Sequence, residues 1–390
     1  MQLEVWLRFD SSLDGLSFFD SLPSSPAIFA LFPESSGSLA GEMAALPGPA
    51  PYLSRTRDLR RRLTRLLGRP SASSKRLNLR EITRRVEYHE VGSIFEAQWL
   101  LYLLNKTYYP RTYRHRLRLK PPPLLKINLR NRFPRCYPTR RLANDGSLYY
   151  GPFASRVASE RFASEFLDLF KIRRCVEDLN PDPAHPGCIY SQMHMCLAPC
   201  FVGCTDDEYQ QELSSVVTFL NRDGQALVRS LEEDRARTAD SLDFEQAAKI
   251  HRKLEKVQAV LRLKPGLVRR LDELHAVMLQ PAAQPRSVAL FRIAGGELRG
   301  PARLSLDENV TSPLPLDAQL QALLDSLARP RPLSAAAHVD LLPSWEPLTL
   351  LARWYYSSFR EGELVMLPPN EEIPYTRLIR LCRKVVQSGQ

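Results

Sequence analysis

The chain has 390 residues, 44% of them apolar and 25% charged, which is enough for about two to four domains of roughly 100 to 200 residues each, with a buried core. No run approaches the ~20 apolar residues of a membrane-spanning helix, and the opening MQLEVWLRFDSSLDG lacks the basic-then-apolar layout of a secretory leader. The expected address is therefore cytoplasmic with no membrane contact, and the formal charge of +11 points instead to an anionic partner.

In chain order, SLPSSPAIFALF predicts an apolar strand, followed by a Ser-, Gly- and Ala-rich loop as far as Gly48. In PYLSRTRDLRRRLTRLLG, Tyr52 and Leu53 predict a short strand and Asp58 a helix N-cap. Leu59, Leu63, Leu66 and Leu67 form the buried stripe of that helix, and Gly68 is its stop. ITRRVEYHEV predicts a further strand, and SIFEAQWLLYLLNKTYY a mostly apolar helix. Three prolines at 121–123 end this unit; LLKINL predicts a strand, and YYGPF at 149–153 a turn. Ser155 to Phe170 reads as helix, and Asp206 to Leu261 as mostly helix broken near ADSLD. In the second half of that stretch Ala247, Ile250, Leu254, Val257 and Leu261 recur at steps of three and four, which is one seam on one face. Asp243 with Gln246 suggests a capping box, with Leu242 stapled onto Ala247. Such a hairpin is too small to bury much alone, so the seam is a candidate docking face. From Leu274 onward HAVML, VALFRI and ELRG predict strands around a GG turn, AQLQALLDSL predicts a helix, and WYYSSF closes the pattern; the chemistry of this part is not legible.

Cations cluster. Between Arg55 and Arg85 lie twelve Lys or Arg against Asp58 and Glu81, and from Ala97 to Asn144 there is no acid at all among twelve cations. Tyr108, Tyr109, Tyr113, Phe133 and Tyr137 are interleaved with the second run. Neutralising phosphates releases counterions and aromatic faces stack on bases, so the two tracts favour nucleic acid over a merely solvated face. Arg55, Arg57, Arg60, Arg61, Arg65, Arg114, Arg116 and Arg118 are the candidate DNA-binding residues.

Five of seven cysteines fall between residues 175 and 204. In a reducing compartment such clusters are more often metal ligands than disulfides. Cys175, Cys188, Cys196 and Cys200, with twelve, seven and three residues between them, suit a 4Fe-4S cluster; a zinc ion and plain buried thiols are the alternatives. Pro181, Pro183, Pro186 and Gly187 supply a loop able to wrap an object larger than one ion. His185 and His194 are possible but unneeded ligands, and Cys204, Cys136 and Cys382 are bystanders in this scheme.

YYGPF, then the cysteine block ending MCLAPC, then LDFEQAAKIHRKLEKVQAV, in that order, resemble the N-terminal half of the UvrC family, the incision subunit of bacterial nucleotide excision repair. The resemblance implies an α+β protein in five parts: an N-terminal extension (1–22), a GIY-YIG-like nuclease domain (23–116) and a basic, cysteine-rich iron–sulfur region (117–205), then a UVR-like helical hairpin (206–265) and a C-terminal α+β region (266–390). It implies damaged duplex DNA and UvrB as partners, the latter docking on Phe244, Ala247, Ile250, Leu254 and Val257. It also implies that the family's second nuclease domain, of the RNase H kind, lies outside this chain. Within the nuclease comparison Tyr52 and Arg62 match catalytic positions, but Phe29 stands for the first-motif tyrosine and Leu101 for the metal-binding glutamate, while Tyr113 falls at or near a polar asparagine. A hydroxyl and a carboxylate are what water activation and Mg2+ binding require, so a phosphate-holding, non-cutting domain is expected. The alternatives are a working nuclease with Tyr52 as base and Glu87 or Glu90 on Mg2+, and a structural or RNA-binding module.

Overall fold

The computed structural model describes residues 3–10, 16–33, 50–69, 76–177, 179–307, 314–328, 344–367 and 372–388. Most of the expected loop before Gly48 lies outside them. The fold is α+β, built from three four-stranded antiparallel sheets with helices on their faces.

The first sheet gathers β1 (Val5–Arg8), β2 (Ala27–Pro33), β3 (Tyr52–Thr56) and β4 (Thr83–Glu90) in the order β1-β4-β2-β3, with α1 (Leu16–Asp20), α2 (Leu59–Leu67), α3 (Ile94–Tyr108) and α4 (Tyr113–Arg116) around it. The strand β2 is apolar throughout because both its faces are covered. Ala27, Phe29 and Leu31 pack with Leu59, Leu63, Leu66 and Leu67 of α2, while Ile28, Ala30 and Phe32 belong to the core that holds α3. Asp58 accepts a hydrogen bond from the Arg61 N–H at 2.9 Å, the expected N-cap. Gly68 ends α2 in extended backbone. Its requirement is steric, since a Cβ there would stand 2.4 Å from the Thr64 carbonyl oxygen.

The second sheet runs through β5 (Leu124–Ile127), β6 (Cys136–Thr139) and β7 (Leu148–Gly151), followed by α5 (Arg156–Leu167), α6 (Ile189–Gln192), α7 (Asp206–Asn221), α8 (Gln225–Asp240), α9 (Phe244–Arg262) and β8 (Arg269–Arg270). Its order is β6-β5-β7-β8. Tyr149, Tyr150 and Gly151, expected in a turn, lie in β7, where Tyr150 and Gly151 pair with Arg270 and Arg269. Phe162, Phe166, Phe170 and Phe219 make an aromatic ladder with centroids 5.2–5.5 Å apart, fastening α5 to α7. The helical stretch breaks twice, at Arg222–Gly224 as well as near Leu242.

The third sheet holds β9 (Ala276–Pro281), β10 (Ser287–Ala294), β11 (Glu297–Ser305) and, beyond α10 (Leu316–Ala328) and α11 (Trp345–Tyr355), β12 (Glu363–Met366); α12 (Tyr375–Ser388) follows. The order is β11-β10-β9-β12. Alternate residues separate its two faces. Val277, Leu279, Val288 and Leu290 pack under α10 and α12, while Ala276, Met278, Ala289 and Phe291 enter the core that also contains α3 and α11. Phe95 meets Phe291 edge-on at 5.1 Å and Trp354 at 5.9 Å, and the Trp99 indole donates to the Gly300 carbonyl at 2.8 Å. The stretch 23–116 therefore shares its core with the C-terminal region. The division expected after residue 265 falls just before the chain returns, as β8, to the middle sheet. No helix among the described residues is long and apolar enough to cross a membrane.

Candidate functional site

On the α2 side of the first sheet, Tyr52 stands 6.2 Å ring-to-ring from Phe29, and the Arg62 guanidinium donates from Nη2 to the Tyr52 hydroxyl at 3.4 Å. Nε of Arg62 is buried with no hydrogen-bond partner among the described residues, an orphaned donor whose natural complement is an anion. Phe29 is fully buried in mid-strand, and its cross-strand neighbours are Tyr88 and Ser54. Tyr88, which pattern reading passed over, is thus the hydroxyl next to the tyrosine-less position, and burial with the nearby Glu90 charge pushes its pKa up.

Strand register decides which carboxylates face this group. Tyr52 lies opposite Leu31, and Glu90 opposite Ala27, so Tyr52 and Glu90 share a face but are four residues apart along β2, about 13 Å at ~3.3 Å per residue. Glu90 accepts a hydrogen bond from the Ser25 hydroxyl. Glu87, opposite Ala30, projects from the other face and pairs with Arg85 at 3.0 Å. Leu101 packs against the core on that other face as well. Glu96 is buried at the start of α3, where it accepts from the Gly92 N–H at 2.9 Å. Tyr113 is buried too and donates to Glu346 at 2.8 Å.

The eight candidate DNA-binding arginines divide. Arg55, Arg57, Arg61, Arg65 and Arg118 are exposed, and their guanidinium groups make no hydrogen bond or ion pair among the described residues. In the other three the guanidinium groups are engaged within the chain. Arg60 donates to the Leu22 and Asp20 carbonyls at 2.8 and 3.0 Å, pinning the segment after α1. Arg114 pairs with Glu346 at 2.7 Å, and Arg116 donates to Asn105 at 3.1 Å while lying 3.8 Å from the centroid of the Tyr109 ring.

The cysteine loop is tied across itself. The Leu197 N–H donates to Lys171 O at 2.9 Å, and the Asp182 N–H to Cys200 O at 2.9 Å. His194, Ala198 and Val202 take left-handed backbone, an unfavourable state for residues with a Cβ that the surrounding contacts must hold in place. Two donors point at sulfur. The Ala198 N–H reaches Cys196 Sγ at 3.3 Å, and buried Arg173, itself held by Phe133 O at 2.9 Å, reaches Cys175 Sγ at 3.4 Å. Burial pushes the Cys196 thiol up to about 11, and Cys175, Cys188 and Cys200 act in the same direction. Among the described residues no three His, Cys, Asp or Glu groups converge to hold a single metal ion. Thiols with N–H groups aimed at sulfur are the donor chemistry that iron–sulfur ligation uses, but in this structure the four are not gathered about one point. Cys136 and Cys382 are buried in separate cores. Arg173 escaped notice beforehand, though its place in RRC, two residues before the first thiol, was the available signal.

The seam of α9 splits. Leu254 and Val257, expected at a partner surface, are 4% and 0% exposed in the chain's own middle core, joined there by Val260. Leu242, with left-handed backbone, is 72% exposed and forms no staple. Phe244 is 68% exposed, with Ala247 and Ile250 half-buried behind it. A groove of about 550 Å3 between α8 and α9 is lined by Leu231, Asp234, Thr238, Gln246, Lys249 and Ile250.

The middle unit is the part of the chain that matches a known family. Residues 123–219, from β5 through the cysteine loop to α7, match the family model described as the UvrC/Cho excinuclease middle domain. At the level of individual proteins, the chain is similar to the UvrABC system protein C of Ruminiclostridium cellulolyticum, 28% identical over 218 residues, which are 55% of this chain and 35% of that protein. It is similar to the same protein of Carboxydothermus hydrogenoformans, 29% identical over 253 residues, 63% of this chain and 39% of that one. Against that of Syntrophomonas wolfei the figures are 27% over 256 residues, 65% and 42%. The chain thus spans about a third to two fifths of the length of these curated relatives. No solved structure matches it.

Proposed function

We propose that this chain is a UvrC-like nucleotide excision repair protein that binds DNA and docks on UvrB, with a GIY-YIG-like domain that holds phosphate without cutting it. The observation that carries this is the face around Tyr52. It presents the half-buried Arg62, whose buried Nε–H has no partner among the described residues, but the position of the first hydroxyl is filled by Phe29, and its carboxylate, Glu90, is turned to Ser25 at the far end of the strands. Arg62 and Tyr52 can orient a phosphodiester, and Arg55, Arg57, Arg61, Arg65 and Arg118 supply cations for the flanking phosphates. With no carboxylate beside them among the described residues to fix Mg2+, these groups do not by themselves cut the phosphodiester.

Cys175, Cys188, Cys196 and Cys200 would hold a 4Fe-4S cluster, which when bound cross-links the loop between α5 and α7 as a structural element. UvrB docking falls to the exposed end of the hairpin at Phe244, Ala247 and Ile250, and not to Leu254 and Val257.

The test is incision of a lesion-bearing duplex in the presence of Mg2+, alongside binding over a salt series. No incision is expected. The logarithm of the binding constant should fall with log salt at about −0.9 per phosphate contacted, and Arg61→Ala with Arg65→Ala should flatten that slope by about 1 to 2. Robust cutting abolished by Arg62→Ala overturns the non-cutting assignment. Anaerobically purified protein should be brown and contain iron, and Cys188→Ala should bleach it. A colourless, iron-free preparation that folds normally removes the cluster.

A further inference from the structure

Where α7, α8 and β8 meet the end of β12 there is a cavity of about 650 Å3 that the proposed repair activity does not use. Four arginines line it: Arg222, Arg229, Arg269 and Arg270. Two are spoken for. The Asp223 carboxylate is shared between Arg269, at 2.5 Å, and the almost wholly buried Lys264 amine, while Arg270 pairs with Asp272 at 2.7 Å and Glu273 at 2.9 Å. Arg222 and Arg229 are exposed, and their guanidinium groups have no partner among the described residues. The acids of this neighbourhood are therefore engaged by other cations, and two guanidinium forks remain for an anion from outside.

The remaining lining says what kind of anion. Leu220, Met366 and Leu367 form an apolar wall, and beside them the Asn221 carbonyl accepts from the Tyr150 hydroxyl at 2.9 Å, so that its amide N–H2 is left to donate. A simple carboxylate or inorganic phosphate would satisfy the arginines and leave that wall uncovered. A nucleoside phosphate covers both. Its phosphate matches the bidentate donor geometry of guanidinium, its ring lies on Met366 and Leu367, and its bulk suits a cavity in the usual size range of small-ligand sites.

We propose that this cavity binds a phosphorylated nucleoside, with the phosphate on Arg222 and Arg229. The assignment does not depend on the fate of the nuclease-like domain. Free mononucleotide and the 5′-phosphorylated end of a strand offer the same chemistry, and one set of titrations on the full chain distinguishes them. Deoxyadenosine 5′-monophosphate should bind saturably. The pair Arg222→Ala and Arg229→Ala should weaken it at least tenfold with an unchanged unfolding midpoint, and Met366→Ser should weaken it severalfold while sparing inorganic phosphate. A 5′-phosphorylated oligonucleotide that outbinds its 5′-hydroxyl twin, by a factor lost in the arginine pair, assigns the strand end; equal binding of the twins beside saturable mononucleotide assigns the free nucleotide. Absence of saturable mononucleotide binding, mononucleotide binding indifferent to the arginine pair, or displacement by acetate or inorganic phosphate at concentrations like those of the mononucleotide overturns the proposal.

Discussion

Glu96 shows how one residue can be legible in kind and illegible in consequence. SIFE is a visible helix start, and the Ser93 hydroxyl does accept from the Glu96 N–H at 3.1 Å. What the four letters do not carry is that the carboxylate is fully buried, bonded through Oε2 to the Gly92 N–H, with Oε1 left without a partner among the described residues. Burial pushes its pKa up to about 7, and the Gly92 N–H only partly opposes that. Since the folded pKa lies above the unfolded value, the fold binds the extra proton, and this stabilisation is complete below about 4.5 and lost as pH rises through about 7. At ~1.4 kcal/mol per pKa unit the ceiling is about 3 kcal/mol. Glu96→Gln should therefore be less pH-sensitive than the parent and more stable than it at pH 8 by about 1 to 3 kcal/mol. Urea titrations of both proteins at pH 5 and pH 8 read this directly, and an identical difference at the two pH values contradicts it.

At the scale of the element, the hairpin of α8 and α9 divides a continuous amphipathic seam into a structural half and an available half. The repeat in steps of three and four was plain in the sequence. Which turns of it would be covered was not, because periodicity specifies a face and not a partner. The aromatic ladder on α5 and α7 belongs to the same core as Leu254, Val257 and Val260, and that core stops short of Phe244. Leu254→Ala should cost about 2 to 5 kcal/mol in chemical denaturation. Phe244→Ala should leave the midpoint within about 0.5 kcal/mol, as surface changes do, and under the proposed docking it should weaken capture by UvrB. Full capture by the Phe244→Ala variant, or no capture by the parent chain, overturns that docking. The cysteine loop divides in a similar way: the four thiols were evident from spacing, whereas the strain at Ala198 and Val202 and the donor from Arg173 emerge only once the loop is closed on α7.

For the whole molecule, the main consequence is that the first and third sheets are not independent. Phe95, Trp99 and Tyr102 of α3 share one core with Phe291 of β10 and Trp354 of α11, and a Cβ on Gly92 would strike the Ala282 backbone at 2.1 Å. At the edges of the two sheets Arg303 bridges to Glu4 at 3.0 Å. A fragment ending near residue 120 should therefore fail to fold: α3 would expose the aromatic face that the third sheet now covers. Circular dichroism and gel filtration of residues 1–120 check this, and a compact, cooperatively melting fragment contradicts it. In the full chain Phe291→Ala, at about 3 to 5 kcal/mol, should lower the stability of the first and third sheets together.

By itself the sequence determined what is local. The strands at Ala27–Pro33 and Thr83–Glu90, the caps at Asp58 and Asp243, the stripe of Leu59, Leu63, Leu66 and Leu67, and the four-thiol loop all follow from short-range sterics, hydrogen bonding and periodicity, which act within a few residues. The tertiary structure decided everything that depends on distant partners: that YYG is a strand because β5 and β8 flank it, that Arg60, Arg114 and Arg116 are engaged while Arg61 and Arg65 have no partner among the described residues, and that Glu90 and Tyr52 share a face without meeting. Desolvation and charge pairing are set by what lies opposite a side chain in space, and adjacency along the chain does not encode that.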